Sequence, residues 1–170
     1  MHFETVRPEE IEKKSFEIIT EELSQAGIVL DEKTAMVTKR CIHTSADFDY
    51  ASTLTFSDGA VQRMQELIRG GACIVTDTNM ALAGINKKKL AQFGGQAFCF
   101  MADEDVAVEA KDRGVTRATV SMERAAGLGR EVIFAIGNAP TALVRLYEMM
   151  EEGSGNARSM KKEWKCQERR

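Results

Sequence analysis

The chain has 170 residues, of which 44% are hydrophobic and 29% are charged, and its formal net charge is −3. This length suits one folded domain with its own core, and the small net charge argues against a wholly disordered chain. No apolar run reaches the roughly 18 residues that a membrane-spanning helix needs. The first residues also lack the basic-then-apolar order of a signal peptide. We therefore expect a soluble, cytoplasmic protein with no membrane partner.

Charge, cysteine spacing and the absence of glycine-rich motifs argue against three further kinds of binding site. Residues 153–170 carry a balance of +4, so the rest of the chain carries −7. An acidic body repels phosphate backbones, which argues against nucleic acid as a partner. The four cysteines show no CxxC spacing and the chain has two histidines, so the sequence indicates no metal site. No glycine-rich nucleotide-binding motif occurs either.

Helical patterns alternate with short apolar runs along the chain. The first helix is expected to begin at Pro8 and to stop at Gly27, because proline suits the first helical position and glycine the end. Predicted helices span residues 8–26, 32–43, 59–68, 87–93, 103–113 and 141–152. Predicted strands span residues 72–76, 97–101, 117–120 and 132–136. Short apolar strands between helices indicate an α/β fold, a doubly wound, mainly parallel sheet with helices on both faces. We expect one domain over residues 1–152.

In such folds ligands bind beyond the carboxyl ends of the strands. The segments expected there, 77–80, 101–103 and 137–141, are polar or contain glycine. Two of them lead into helix N-termini, whose N–H groups can bind anions. Taken alone, these loops fit ordinary turn and capping chemistry better than a binding site.

The densest candidate site surrounds His43. Arg40, His43, Thr44 and Asp47 are spaced i, i+3, i+4 and i+7, so they share one face if the second helix continues that far. Histidine exchanges protons near neutral pH, and arginine can bind a carboxylate through two parallel hydrogen bonds. The alternative is a solvated surface stripe with an ion pair.

Ser15 places a hydroxyl on the inward stripe of the first helix, four residues from both Ile11 and Ile19. Such a hydroxyl usually bonds the carbonyl one turn back. The other interpretation is that it faces a pocket.

Several ordered blocks resemble the precorrin-8 methylmutase (precorrin isomerase) family of corrin biosynthesis. They are RCIHTSADFDY at 40–50, IVTDTNMALAGINKKKL at 74–90, CFMADEDVAVEAK at 99–111, TRATVSM at 116–122 and FAIGNAPTAL at 134–143. The resemblance runs from about residue 8 to residue 153. It implies an isomerase that moves a methyl group from C-11 to C-12 of precorrin-8 or its cobalt form, giving hydrogenobyrinate or cobyrinate. No cofactor, external methyl donor or redox partner is implied.

The resemblance also implies roles for particular residues. His43 matches the family's catalytic histidine and is expected to act as general acid and then as base. Arg40 and Ser15 are candidates for binding the carboxylates of the tetrapyrrole substrate. Further residues are expected to line the pocket: Thr44, Thr76, Asp77, Thr78, Asn138 and Thr141. Family members are homodimers, and we expect the same here.

Residues 153–170 depart from the family pattern, which continues into an apolar strand, a helix and a basic glycine-rich segment. This stretch contains no Val, Ile, Leu or Phe, so it cannot supply a buried strand. We expect it to be a basic, flexible tail. Two alternatives to an active isomerase follow: a non-catalytic tetrapyrrole-binding protein, or an α/β protein with a surface histidine stripe and no link to corrins.

Overall fold

A computed structural model describes residues 8–153 of the chain, with side chains from residue 10 onward. The expected tail therefore lies outside the described residues, apart from Gly153. Within the described residues the backbone groups into two compact units, with the division between Gln62 and Arg63. They are described separately below. A single domain ending near residue 152 stays a prediction.

The first unit is built on two packed helices. Helix α1 spans Pro8–Gln25, α2 spans Ala35–Ser45, and the short α3 spans Tyr50–Thr53. Ile19 and Leu23 of α1 are buried against Ile42 of α2. The chain leaves α1 through Gly27, whose φ of 69° lies in the left-handed region that glycine adopts without strain. The predicted helix and its stop are thus confirmed.

Helix α2 ends before Asp47, so it does not carry all four candidate residues around His43. Ala46 takes a left-handed conformation (φ 58°), and its N–H donates to the carbonyl oxygen of Ile42. Arg40, His43 and Thr44 lie on the helix, but Asp47 lies beyond its last turn. The condition under which Asp47 would share their face is therefore not met, because the helix ends at Ser45 and the chain turns at Ala46.

The second unit contains a three-stranded parallel sheet. Strands β1 (Cys73–Thr76), β2 (Ala97–Phe98) and β3 (Val132–Ala135) lie in the order β2-β1-β3. In this register Ile74 of β1 lies opposite Ala97 on one side and Ile133 on the other. The β1-to-β2 and β2-to-β3 connections run in opposite directions. Right-handed crossovers therefore place their helices on opposite faces, which confirms the predicted doubly wound α/β class.

Six helices accompany this sheet in the described part of the chain. They are α4 (Ala60–Arg69), α5 (Asn79–Gly84), α6 (Lys87–Gln92), α7 (Glu104–Arg113), α8 (Arg117–Ala126) and α9 (Pro140–Glu152). The sheet packs on α8 and α9 through a core that includes Val75, Met122 and Leu146. No helix within residues 8–153 is long and apolar enough to cross a membrane.

The predicted strand at 117–120 is wrong, because these residues form the first turn of α8. The Thr116 hydroxyl accepts a hydrogen bond from the Thr119 N–H at 3.1 Å and so caps the helix. Ala118, Met122 and Ala125 are buried at helical spacing. The predicted strand 97–101 is shortened to Ala97–Phe98, and a 3₁₀ turn follows over Phe100–Ala102.

Candidate functional site

His43 and Ser15 meet in the first unit. Ser15 Oγ of α1 lies 2.7 Å from Nδ1 of His43 on α2, and the two side chains share a hydrogen bond. Both residues are half-buried. Within residues 8–153 no hydrogen bond reaches Nε2 of the imidazole. Anchoring one ring nitrogen fixes the orientation of the ring and leaves the other nitrogen available for proton transfer.

Both side chains line a groove of about 370 Å³ between α1 and the segment after α2. Apolar side chains form most of its wall, together with three charged or ionisable ones. Its lining consists of Ile11, Lys14, Ser15, Ile18, Ile19, Glu22, Ile42, His43, Ala46 and Phe48. Ile11 and Ile18 remain 53% and 47% exposed, so the groove presents apolar surface to a ligand. Ser15 thus faces a pocket, the less common of the two expected situations.

Arg40 lies one turn before His43 and is bound by groups of α1. Its Nη2 donates to Oε1 of Glu12 at 2.7 Å, and its guanidinium carbon lies 4.9 Å from the centre of the Phe16 ring. His43 also lies near the Phe16 ring, with ring centres 5.6 Å apart. The hydrogen bond from Arg40 and its positive charge lower the pKa of Glu12, so the pair is fully ionised at neutral pH.

Thr44 directs its hydroxyl back into its own helix. Thr44 Oγ1 donates to the carbonyl oxygens of Arg40 and Cys41 at 3.1 and 3.0 Å. The side chain is exposed, and it is not among the residues that line the groove. Of the α2 candidates, His43 contributes directly to the groove wall.

The remaining candidates lie in the second unit, at the carboxyl ends of β1 and β3. Asp77 follows β1 and is buried. Its carboxylate accepts hydrogen bonds from the backbone N–H groups of Gly137, Asn138 and Ala139 at 3.1, 2.7 and 2.8 Å. These three N–H groups precede α9, and the last belongs to its N-cap residue, so the loop that leads into this helix already holds an anion from within the chain.

This arrangement sets the ionisation of Asp77. Burial of the carboxyl raises its pKa, but the hydrogen bonds from Asn138, Gly137 and Ala139 together outweigh burial. The net pKa lies below the ordinary value for aspartate. Asp77 is therefore a carboxylate at neutral pH that ties the end of β1 to the start of α9.

The neighbouring candidates differ in exposure. Thr76 is buried, and its hydroxyl donates to the carbonyl oxygens of Thr78 and Phe98. Thr78 caps α5 by accepting from the Ala81 N–H at 3.1 Å. Asn138 and Thr141 are exposed. The structure thus divides the predicted site residues between the two units, with the His43–Ser15 pair in the first unit and the strand-end cluster in the second.

Sequence reasoning missed two residues that surround Arg40, namely Glu12 and Phe16. Both lie on α1 at i and i+4, next to Ser15, so helical spacing carried a signal that they share its region of the helix. Among the described residues no group of three or more His, Cys, Asp or Glu side chains is arranged to hold a metal ion.

The fold and these clusters define an α/β protein with a histidine beside an apolar groove. Residues 10–159 match the sequence model of the family described as Precorrin-8X methylmutase. Cobalt-precorrin-8 methylmutase of Priestia megaterium is 43% identical over 149 residues, covering 88% of this chain and 65% of that protein. Its namesake in Salmonella typhimurium is 39% identical over 152 residues, covering 87% of this chain and 72% of the relative.

A solved structure agrees with these relatives. The structure titled "Crystal Analysis of Precorrin-8x Methyl Mutase from Thermus Thermophilus" superimposes with a TM-score of 0.74 at 33% identity. The match covers 85% of this chain and 70% of the other. The chain belongs to the precorrin-8X methylmutase family. It spans just under two thirds of the length of the Priestia megaterium relative.

Proposed function

We propose that this chain is a precorrin-8 methylmutase, an isomerase of cobalamin biosynthesis. The reaction moves a methyl group from C-11 to C-12 of precorrin-8 or its cobalt form, giving hydrogenobyrinate or cobyrinate. One observation supports the proposal most directly. In a chain of this family, Ser15 Oγ lies 2.7 Å from Nδ1 of His43, and this hydrogen bond anchors the imidazole at an apolar groove.

In the proposed mechanism His43 exchanges a single proton with the macrocycle. Protonated His43 donates its Nε2 proton to the conjugated ring, which becomes electron-poor and favours migration. The bond from C-11 to the methyl carbon breaks as the bond to C-12 forms. The ring then returns a proton to Nε2. Electrons and atoms balance within the substrate, so the step needs no oxidant, reductant or methyl donor.

Ser15 supports this role through the other ring nitrogen. When Nδ1–H donates to Ser15 Oγ, the neutral imidazole presents a lone pair at Nε2, and the protonated ring presents an N–H there. The hydrogen bond is compatible with both states, because the serine oxygen accepts in each. Proton exchange at Nε2 therefore leaves the anchored side of the ring unchanged.

The surroundings of His43 suit an apolar, carboxylate-rich macrocycle. The exposed parts of Ile11 and Ile18 offer apolar contact to the ring system. Arg40, one turn from His43, is our candidate for a carboxylate side chain. We also propose that the other candidates predicted from the sequence contribute to substrate binding: Thr44, Thr76, Asp77, Thr78, Asn138 and Thr141. A homodimeric assembly is part of the same proposal.

The proposal is tested by following the absorption spectrum of the purified chain mixed with precorrin-8, and separately with its cobalt form. We expect a progressive spectral conversion with at least one of them, since methyl migration changes the conjugated path. His43→Asn should slow conversion by a factor of about 10² to 10⁴, the usual contribution of a general acid–base. Binding, seen as an immediate spectral shift, should persist in this variant.

A matched control is His2→Asn, which removes the chain's other histidine and should leave conversion unchanged. An immediate shift without conversion in the unmutated chain would identify a binding protein that lacks turnover. A folded chain that changes neither spectrum would contradict the proposed function. Equal conversion by His43→Asn would remove His43 from the mechanism.

A further inference from the structure

Arg40 already has a carboxylate partner when no ligand is present. Its Nη2 lies 2.7 Å from Oε1 of Glu12, a residue 28 positions earlier on the facing helix α1. Among residues 8–153, Arg40 is the one hydrogen-bond partner of the Glu12 carboxylate. A bound ligand carboxylate would make the same type of contact to the same guanidinium.

The ion pair is accessible from solvent on both sides. The side chains of Arg40 and Glu12 are 49% and 57% exposed, and a single guanidinium nitrogen bonds a single carboxylate oxygen. Exposed pairs of this kind stabilise a fold very little, because solvent screens them and both side chains lose rotamer freedom. The guanidinium carbon of Arg40 also lies over the Phe16 ring, 4.9 Å from its centre, and this contact does not involve Glu12. Displacing Glu12 therefore costs little and leaves Arg40 stacked on the ring.

We infer that Glu12 is an internal competitor for Arg40, a stand-in carboxylate that a substrate carboxylate displaces on binding. The inference rests on the proposed function, because it concerns how that site binds a carboxylate of its ligand. While Glu12 is paired, the charge of Arg40 is neutralised, and only a ligand that brings its own carboxylate regains the contact. Glu12 thus lowers affinity for the free acid, whereas a ligand in which that group is neutral does not compete for Arg40 and binds equally well with or without Glu12.

The test compares hydrogenobyrinate with its methyl-ester form, in which every carboxylate is neutral. Titration followed by absorption gives the Kd of each ligand for the unmutated chain and for Glu12→Gln. We expect Glu12→Gln to bind the free acid about twofold to fivefold more tightly, the range set by the strength of an exposed ion pair. The Kd of the ester should stay unchanged. In turnover, KM for precorrin-8 should fall while kcat changes less.

Two controls separate competition at Arg40 from a general change of charge or fold. Glu17→Gln removes the same charge from the same helix, at a residue that lies 3.9 Å from Lys13 rather than beside Arg40, and should leave both Kd values unchanged. In an Arg40→Gln background, Glu12→Gln should no longer tighten binding of the acid, as a double-mutant cycle requires.

The results that overturn the inference are distinct from those that overturn the function. Weaker binding of the free acid by Glu12→Gln, with the unmutated chain still converting precorrin-8, would show that Glu12 positions Arg40 and does not compete for it. Equal tightening for acid and ester would show that the effect bypasses a carboxylate. If the unmutated chain neither binds nor converts a tetrapyrrole, the proposed function fails and the inference fails with it.

Discussion

At the scale of single residues, the site depends on one hydrogen bond between two helices. Ser15 of α1 anchors Nδ1 of His43 on α2 at 2.7 Å. We predict that Ser15→Ala lowers kcat about twofold to tenfold, the range expected when one neutral hydrogen bond that orients a ring is lost. Steady-state kinetics with precorrin-8 measures the change. Ser15→Thr, which keeps a hydroxyl, should restore part of the rate.

The matched control for this change is Ser24→Ala, which deletes an exposed hydroxyl from the same helix. Its kcat should equal that of the unmutated chain. If Ser15→Ala also left kcat unchanged while retaining its fold, then the bond to Nδ1 would not contribute to the orientation of His43 during turnover.

Contacts between residues of one helix could be predicted from their spacing in the sequence. Contacts between residues of two different helices could not. The i, i+3 spacing correctly placed Arg40 and His43 on one face of α2. The partner of His43 lies 28 positions away, and no local pattern fixes which helix packs on which. For the same reason the ion pair of Arg40 with Glu12 could not be read from the sequence.

At the scale of elements, Asp77 connects β1 to the N-terminus of α9. Its buried carboxylate accepts from three successive backbone N–H groups, including those of Asn138 and Ala139. We predict that Asp77→Asn lowers the free energy of unfolding by about 2–4 kcal/mol at pH 7, because an amide presents donors to N–H groups that need an acceptor. Urea unfolding measures the loss.

The pH dependence of this loss has a defined sign. The pKa of Asp77 is lowered by folding, so its contribution is complete above the unfolded-state pKa near 3.8 and is lost as pH falls through the lower folded-state pKa. The difference between Asp77→Asn and the unmutated chain should therefore shrink below about pH 4. Asp112→Asn, at an exposed position of α7, should show neither effect. A difference that is constant with pH would contradict an ionised Asp77.

Helices and strands were predicted well where the sequence has clear capping residues or a short apolar run bounded by polar residues, as for α1, β1 and α9. Residues 117–120 (Arg-Ala-Thr-Val) show the limit, because four residues that mix polar and apolar side chains fit a short strand and one turn of a helix equally. The deciding observations are the Thr116 cap and the burial of Met122, two residues after the predicted strand. The cap can be recognised only from the local backbone geometry, and the burial of Met122 only from the tertiary packing.

At the scale of the whole molecule, net charge and local charge act in opposite directions on an anionic ligand. The chain carries −3 overall, whereas the proposed ligand site includes the cation of Arg40, one turn from His43. Repulsion from the acidic body acts over a longer distance than the contact to Arg40. Both are screened by salt, with a screening length of roughly 10 Å at 0.1 M.

The two effects give opposite salt dependences, so one titration decides which dominates. We predict that affinity for hydrogenobyrinate falls between about 0.05 M and about 0.5 M NaCl, because a close contact to Arg40 outweighs distant repulsion. Arg40→Gln should flatten or reverse this dependence, since repulsion alone then remains. The ester form should show little dependence in either chain. An affinity that rises with salt in the unmutated chain would mean that its acidic body, and not Arg40, governs the encounter with the substrate.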